Sequence, residues 1–490
     1  MKTFPRWMQC LTAAGVMTLT ACGGDSQTAG IDGSGAPSPG VSAGPINAFG
    51  SILQNGRRYI VDGNTQIRID DNPSTSDLLE VGEFVVITSS SIDDSGNPIA
   101  DSVTQETLLK ASITSVDALN QRFNALGQTV QVRANTVIDT RFTSAVIGTD
   151  FDRLEVGDGV EISGYIAADG MIIATYVGYE DNVSAPRIIG KISNLDSEAL
   201  TFEINGLVVD YNTASLSSLP NDTLANGAAV RVHGSLDGDI LEADEVKGFS
   251  SGFDDLDDGS EAELKGVITE VSSSSQVAVS GIPVSIKAGA EFSGGDAGQL
   301  IVGAIVEVEG TWSEGGILAD EVEFEQEDNV RIDGQITAIS ATNPTLNEGT
   351  ISVLGLTLVS NTSTRYEDNS EADEAFFGLD DLAVTDYVEL RGYQSGDTLV
   401  LTEVVREDID LPLEVALRGP VTGTTPNTSL TILGVPVDVS ESDFEDDSDN
   451  NLSASAFFSA ITVGSTIVEV TGSYNGSLIT AEEAELELED

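Results

Sequence analysis

The chain of 490 residues holds very little cysteine, histidine or positive charge. Cysteine occurs only at Cys10 and Cys22, so beyond residue 22 there is no disulfide, no thiol nucleophile and no thiolate metal site. Histidine occurs once, at His233, which leaves serine–histidine catalysis and histidine metal centres with a single imidazole to draw on. Lys and Arg number 21 against 81 Asp and Glu, a net charge of −60. That balance excludes nucleic acid as a partner, because displacing its counterions takes clustered cations. Anionic lipid surfaces are repelled for the same reason. Beyond residue 22 no apolar run reaches the ~18–20 residues of a membrane-spanning helix. What the chain does have is 40% hydrophobic residues and 50 glycines among many Val, Ile, Thr and Ser, the composition of short strands joined by tight turns. Its length exceeds what one core serves, so several domains are expected.

Residues 1–21 read as an export signal, with Lys2 and Arg6 ahead of a mostly apolar run from Cys10 to Leu19. The run ends in Leu19-Thr20-Ala21-Cys22, which resembles the lipobox of bacterial lipoproteins. The resemblance implies cleavage before Cys22 and a diacylglycerol on its thiol. Gly23, rather than Asp, behind the cysteine points away from inner-membrane retention. Acyl chains contribute ~0.8 kcal/mol per buried methylene, so two or three of them anchor a protein without a spanning helix. The expected location is the outer membrane, facing the periplasm or the cell surface, with the membrane contacted through the lipid on Cys22. Residues 22–44 are rich in Gly, Ser, Ala, Pro and Thr and are expected to be a flexible tether reaching roughly 25–30 Å.

The remainder repeats. Val302-Gly303-Ala304-Ile305-Val306-Glu307-Val308-Glu309-Gly310 alternates apolar and polar residues and closes on glycine. Related phrases start at Val81, Val156, Asn226, Thr385 and Val463, at intervals of roughly 70–80 residues. Each repeat opens on a strand carrying Gly-x-Ile or Gly-x-Val: Gly50-Ser51-Ile52, Gly190-Lys191-Ile192, Gly266-Val267-Ile268, Gly334-Gln335-Ile336 and Gly419-Pro420-Val421, with Ala111-Ser112-Ile113 in the second repeat. A second strand leads to a turn glycine, as in Asn55-Gly56 and Asn205-Gly206, strong hairpin dipeptides. A third strand, a variable link, the recurring phrase and a fifth strand complete the plan. Helical turns are expected in the link at Ser76–Glu80 and Phe376–Leu379.

The fold class expected is all-β, a tandem array of six small five-stranded barrels resembling the oligonucleotide/oligosaccharide-binding barrel, with small two-sheet sandwiches as the alternative. The boundaries fall at 45–107, 108–184, 185–252, 260–328, 329–409 and 410–490, with an acidic linker at 253–259. No junction is long, so the array is expected to be extended and only partly flexible. The Gly-x-Ile opening, the Asn-Gly turn, the Val-Gly-x-x-Val phrase and the Ala-x-x-Val ending together resemble the bacterial domain-of-unknown-function family 5666. That resemblance implies an exported protein, often a lipoprotein, and supplies no catalytic residues.

Candidate chemistry is sparse. His233 stands where other repeats have Ser163, Glu309, Arg391 and Thr471, a polar strand position expected to face solvent. Clustered carboxylates are the candidate calcium ligands: Asp254, Asp255, Asp257 and Asp258 in the linker, with Glu367, Asp368, Glu371, Asp373 and Glu374, and Glu445, Asp446, Asp447 and Asp449. None fits a calcium-loop pattern, and no other cofactor is expected. Tyr165, Trp312, Tyr393 and Tyr474 follow the phrase-closing glycine and serve either rim packing or stacking against a ligand such as a sugar ring. The function expected is a non-enzymatic, modular binding and spacer lipoprotein of the cell envelope, with an envelope protein or a glycan as partner. The alternative is a carbohydrate-active enzyme using an Asp/Glu pair in a divergent repeat, sought first in repeats five and six.

Overall fold

A computed structural model describes residues 40–133, 135–142, 150–219, 222–249, 252–253, 256–326, 328–372, 374, 376–409, 413–446 and 450–487. Strands dominate it, and repeat three shows the plan. Its five strands are Arg187–Asp196, Thr201–Ile204, Leu207–Asp210, Ala229–Asp237 and Ile240–Gly248. Strands one, two and three pair antiparallel in sequence. Strand three runs parallel to strand five, and strand four pairs with both five and one, closing the ring. Repeats two, four, five and six close the same way. The ring settles the choice between barrel and sandwich: every main strand finds two partners, so no long edge is left to aggregate. The links carry short helical turns at Ser76–Leu78 and Leu379–Asp381, and a Ser453-capped helix at Ala454–Ala460.

The phrase-closing glycine marks a β-bulge. The register of strand four against strand five slips at Ser163/Gly164, His233/Gly234, Glu309/Gly310, Arg391/Gly392 and Thr471/Gly472. A methyl group on Gly310 would sit 2.2 Å from the Leu318 carbonyl oxygen, and the other four meet the same obstruction at 2.1–2.2 Å. Only glycine lets the bulged strand approach so closely. The hairpin after strand two is equally regular. Asn55, Leu126, Asn205, Ser280, Leu354 and Leu433 all take φ of 46–50°, each followed by a glycine with positive φ. Left-handed leucine costs ~1–2 kcal/mol. Leu126 and Leu354 offset that by burying their side chains in the barrel cores.

Repeat one departs from the expectation in two ways. Its first strand, Gly40–Pro45, begins inside the stretch read as tether and crosses the boundary drawn at residue 45. Ile46, not Ile52, fills the Gly-x-Ile slot: its N–H and C=O bond Glu83 and Gly82 as Ile268 bonds Ala304 and Gly303. Gly50 instead forms part of a turn with φ of 114°, which an eye following Gly-x-Ile spacing mistakes for the strand. The ring is also looser, since the hairpin Ile52–Gln54/Arg57–Tyr59 joins it only through the isolated bridges Ala48–Leu53 and Ile60–Ile99.

The barrels pair through their first strands. Leu109–Asp117 of repeat two meets Arg187–Asp196 of repeat three, and Val330–Asn343 of repeat five meets Val415–Thr425 of repeat six, both antiparallel. Gly40–Pro45 of repeat one runs parallel to Glu261–Ser273 of repeat four across the intervening pair. One apolar core therefore runs through repeats two and three and another through five and six. Repeat one is the hub. Phe84 packs edge-on against Tyr165 of repeat two at 5.7 Å, and Phe49 against Phe376 of repeat five at 5.5 Å. Ala48 and Leu53 enter the core of repeats five and six. The expected extended array is thus replaced by repeats folded back on one another around the first.

Candidate functional site

The outward face of repeat four explains why the barrels close up. Alternation along its strands turns Glu261, Glu263 and Lys265 outward on strand one, Glu307 and Glu309 on strand four, and Glu323 and Glu325 on the fifth strand, Gly316–Phe324, and just beyond it. On a lone barrel this face would be solvated. Here repeats one, two and five cover it, and Arg57 of repeat one and Arg133 of repeat two pair with its carboxylates. Arg57 of repeat one reaches Glu261 at 3.2 Å and Glu263 at 3.6 Å and also bonds Glu309. The Tyr59 hydroxyl donates to Glu263 at 3.2 Å. Burial, opposed by Arg57 and reinforced by Glu307 and Glu309, pushes the Glu263 carboxyl well above the usual range. Replacing Arg57 by Lys keeps the charge but loses the fork that spans three carboxylates. The expected result is a loss of about 2 kcal/mol, read by urea unfolding of the whole chain.

A second ionic seam joins repeats one and three. Arg187, 2% exposed, bonds Asp70 and also meets Glu106 at 2.6 Å, while Arg231 reaches Glu106 at 2.7 Å and bonds Asp71. Lys247 adds a contact to Asp71 at 2.5 Å. His233 lies beside this seam, paired across strands with Arg187 and Glu245. It is half-buried rather than facing solvent, and burial together with Arg187 and Arg231 lowers its pKa. The same position is expected to be exposed only if the neighbouring repeat is ignored.

On the same outward face of repeat four lies a cavity of about 100 Å³ walled by repeats one, two, four and five. Lys265, Glu307 and Glu323 come from repeat four, Tyr165 and Thr175 from repeat two, and Tyr393 from repeat five. Glu307 and Glu323 stand directly opposite each other on paired strands. Burial, tempered by Lys265, raises the Glu307 carboxyl to about 8 and raises Glu323 as well. Burial opposes the charge of Lys265, but Glu325, Tyr165, Glu307 and Glu323 outweigh it and raise its pKa. Lys265 and Arg133 each approach Glu325 at 3.5 Å, and Asn135 donates to it at 3.2 Å.

The sequence-derived candidates fall in four kinds of place. Cys22, Asp254 and Asp255, with Asp373, Asp447 and Asp449, lie outside the described residues. Asp257 and Asp258 are exposed, and Asp258 accepts a hydrogen bond from the Glu314 N–H at 3.0 Å. Asp368 is a structural carboxylate. Burial acts to raise it, but hydrogen bonds from Arg406, Ser370 and the Glu374 N–H hold it down at about 2. No group of three or more His, Cys, Asp or Glu side chains arranged to hold a metal ion occurs among the described residues. Tyr165 and Trp312 are buried, Trp312 lying 5.7 Å from the Phe253 ring, so neither offers an open face for stacking. Tyr474 is half-buried against the repeat-six core. Tyr393, also half-buried, is the one of the four that lines the cavity without being interior. Lys265, Glu307, Glu323 and Thr175 were not singled out by the sequence, where they are ordinary polar positions of alternating strands.

The regularity of the barrels has a counterpart in sequence. The profile of a family described as Domain of unknown function (DUF5666) matches residues 110–178, 189–247, 265–323, 333–404 and 418–485. The chain belongs to the DUF5666 family. Each match starts in the first strand and stops in the fifth strand of one barrel, so the DUF5666 unit is one closed ring. Repeat one lies outside these matches, and Ser89 takes the place of its bulge glycine. No curated protein matches the sequence.

Proposed function

We propose that the chain is a non-enzymatic lipoprotein of the outer membrane whose barrels form a binding and spacer block in the cell envelope. The observation that supports this reading is the use made of charge. Cations of repeats one, two and three are committed to carboxylates of neighbouring repeats, which stiffens a tandem chain into a block suited to holding a surface at a distance. The Cys22 lipobox supplies the attachment. With Cys22→Ala, labelled palmitate incorporation is expected to vanish and the protein to move from the membrane to the soluble envelope fraction. Unchanged fractionation would remove the lipoprotein reading. Protease shaving of intact cells then distinguishes a surface block from a periplasmic one.

The carbohydrate-active enzyme remains the second reading on one observation, the opposed Glu307 and Glu323 at a cavity wall, in repeat four rather than five or six. Polysaccharide turnover abolished by Glu307→Gln would put it first.

A further inference from the structure

The cavity has a buried polar atom that the protein does not satisfy. The Thr175 Oγ1 atom is buried at its wall without a hydrogen-bond partner. Leaving such an atom unpaired costs about 1–3 kcal/mol, so it marks a place where something else completes the bonding. Glu307 is only 7% exposed. It faces Glu323 across the strand pair, an arrangement that is unfavourable for two carboxylates unless a donor lies between or beside them. Lys265 is the only ammonium on the wall and leans toward Glu325 at the long distance of 3.5 Å. The half-buried Tyr393 supplies apolar surface on the same cavity.

These groups ask for one kind of chemistry. A cationic ligand would meet Lys265, and with it Arg133 and Arg365 on the same wall. An anionic one would meet Glu307, Glu323 and Glu325. A neutral group with several hydroxyls satisfies both, because each hydroxyl donates to a carboxylate and accepts from an ammonium at once. Its C–H face suits a tyrosine ring. At ~30 Å³ per water, a cavity of about 100 Å³ takes on the order of three waters, which is the scale of a small polyol such as glycerol, or of one edge of a sugar ring with the rest in the mouth. Sites where domains meet are the usual place for such ligands.

We propose that the cavity between repeats one, two, four and five binds a neutral polyhydroxylated ligand, either a free polyol or monosaccharide or the terminal residue of a glycan, with Glu323 and Thr175 accepting or exchanging its hydroxyl hydrogen bonds and Tyr393 covering its apolar face. This rests on the binding reading but not on the lipid anchor, which fractionation tests separately.

The test is calorimetric titration of the whole soluble chain, residues 23–490, with glucose, N-acetylglucosamine, myo-inositol and glycerol, then with cello- and chito-oligosaccharides. Putrescine and acetate serve as charged probes. At least one neutral probe is expected to bind and to raise the melting temperature. Glu323→Gln, Thr175→Val and Tyr393→Ala are each expected to weaken that binding about tenfold (~1.4 kcal/mol) while melting within a few degrees of the parent. Oligosaccharides binding tighter than the matching monosaccharide identify a glycan end, and equal affinities identify the free compound. Binding by none of the neutral probes, binding only by putrescine or acetate, or affinities untouched in all three variants would each overturn the proposal. If one variant fails to fold, the remaining two decide.

Discussion

Gly310→Ala is expected to unfold repeat four. The added methyl would lie 2.2 Å from the Leu318 carbonyl oxygen and 2.8 Å from the Ala319 Cα, both backbone atoms of the paired strand that cannot swing aside. Strand four must either leave the bulge or part from strand five. Overpacking a tight site costs ~1–3 kcal/mol, and losing a bulge register adds to it, so about 4 kcal/mol is the expected scale. The loss should spread, because repeat four carries the parallel pairing to repeat one and the wall of the cavity. Calorimetry of the whole chain would show one transition moving down and the hub loosening with it. Gly63→Ala is the control: that glycine is exposed, has no atom within 4 Å of an added methyl and should change stability by less than about 0.5 kcal/mol.

Stability is also expected to fall as pH rises from about 4.5 to about 8. Glu83, raised chiefly by burial and further by Glu80, Glu161 and Asp70, reaches about 8 although its carboxylate accepts the Glu80 N–H at 3.0 Å. Glu307 also reaches about 8. Asp333 is pushed by burial to about 7, with Arg331 opposing and Glu389 and Glu469 reinforcing the rise. The sign follows from which state holds the proton. Below the ordinary carboxylate range both the folded and unfolded chains are protonated, and the folded state keeps its full stability. Above it the unfolded chain ionises freely while the folded chain cannot, so stability drains away until the folded pKa is reached. For Glu83 alone the loss amounts to as much as about 5 kcal/mol across that window. Glu83→Gln removes the titration and keeps the acceptor, so the variant should be the more stable protein at pH 8 and nearly equal at pH 4.5. Surface repulsion among the many carboxylates has the same sign, but salt screens it, whereas the Glu83 difference should persist at high ionic strength.

The barrel was legible because its rules are local. Alternation in Val306-Glu307-Val308-Glu309 announces a half-buried strand, and Asn205-Gly206 announces a turn, whatever surrounds them. The leucine at the first turn position of Leu126 and Leu354 was not legible, since its tolerance there comes from core burial. The site was hidden for a related reason. Glu307 and Lys265 have the pattern of a wet face, and whether such a face meets water or another barrel depends on pairing far along the chain. His233 was misplaced in the same way. Gly50-Ser51-Ile52 shows the opposite failure, a local motif matching in spacing while Gly44-Pro45-Ile46 made the bonds.

The parallel pairing of Gly40–Pro45 with Glu261–Ser273 sets an order on biogenesis. A chain is made from its N-terminus at about 5–20 residues per second. Repeat one therefore emerges first yet waits on the order of tens of seconds for the strand that covers its open side. Repeats two and three, whose partners follow at once, can finish as a unit in the meantime. The oldest part of the nascent protein thus matures only after repeats two and three, and it depends on whatever shields an unpaired strand until the fourth ring arrives.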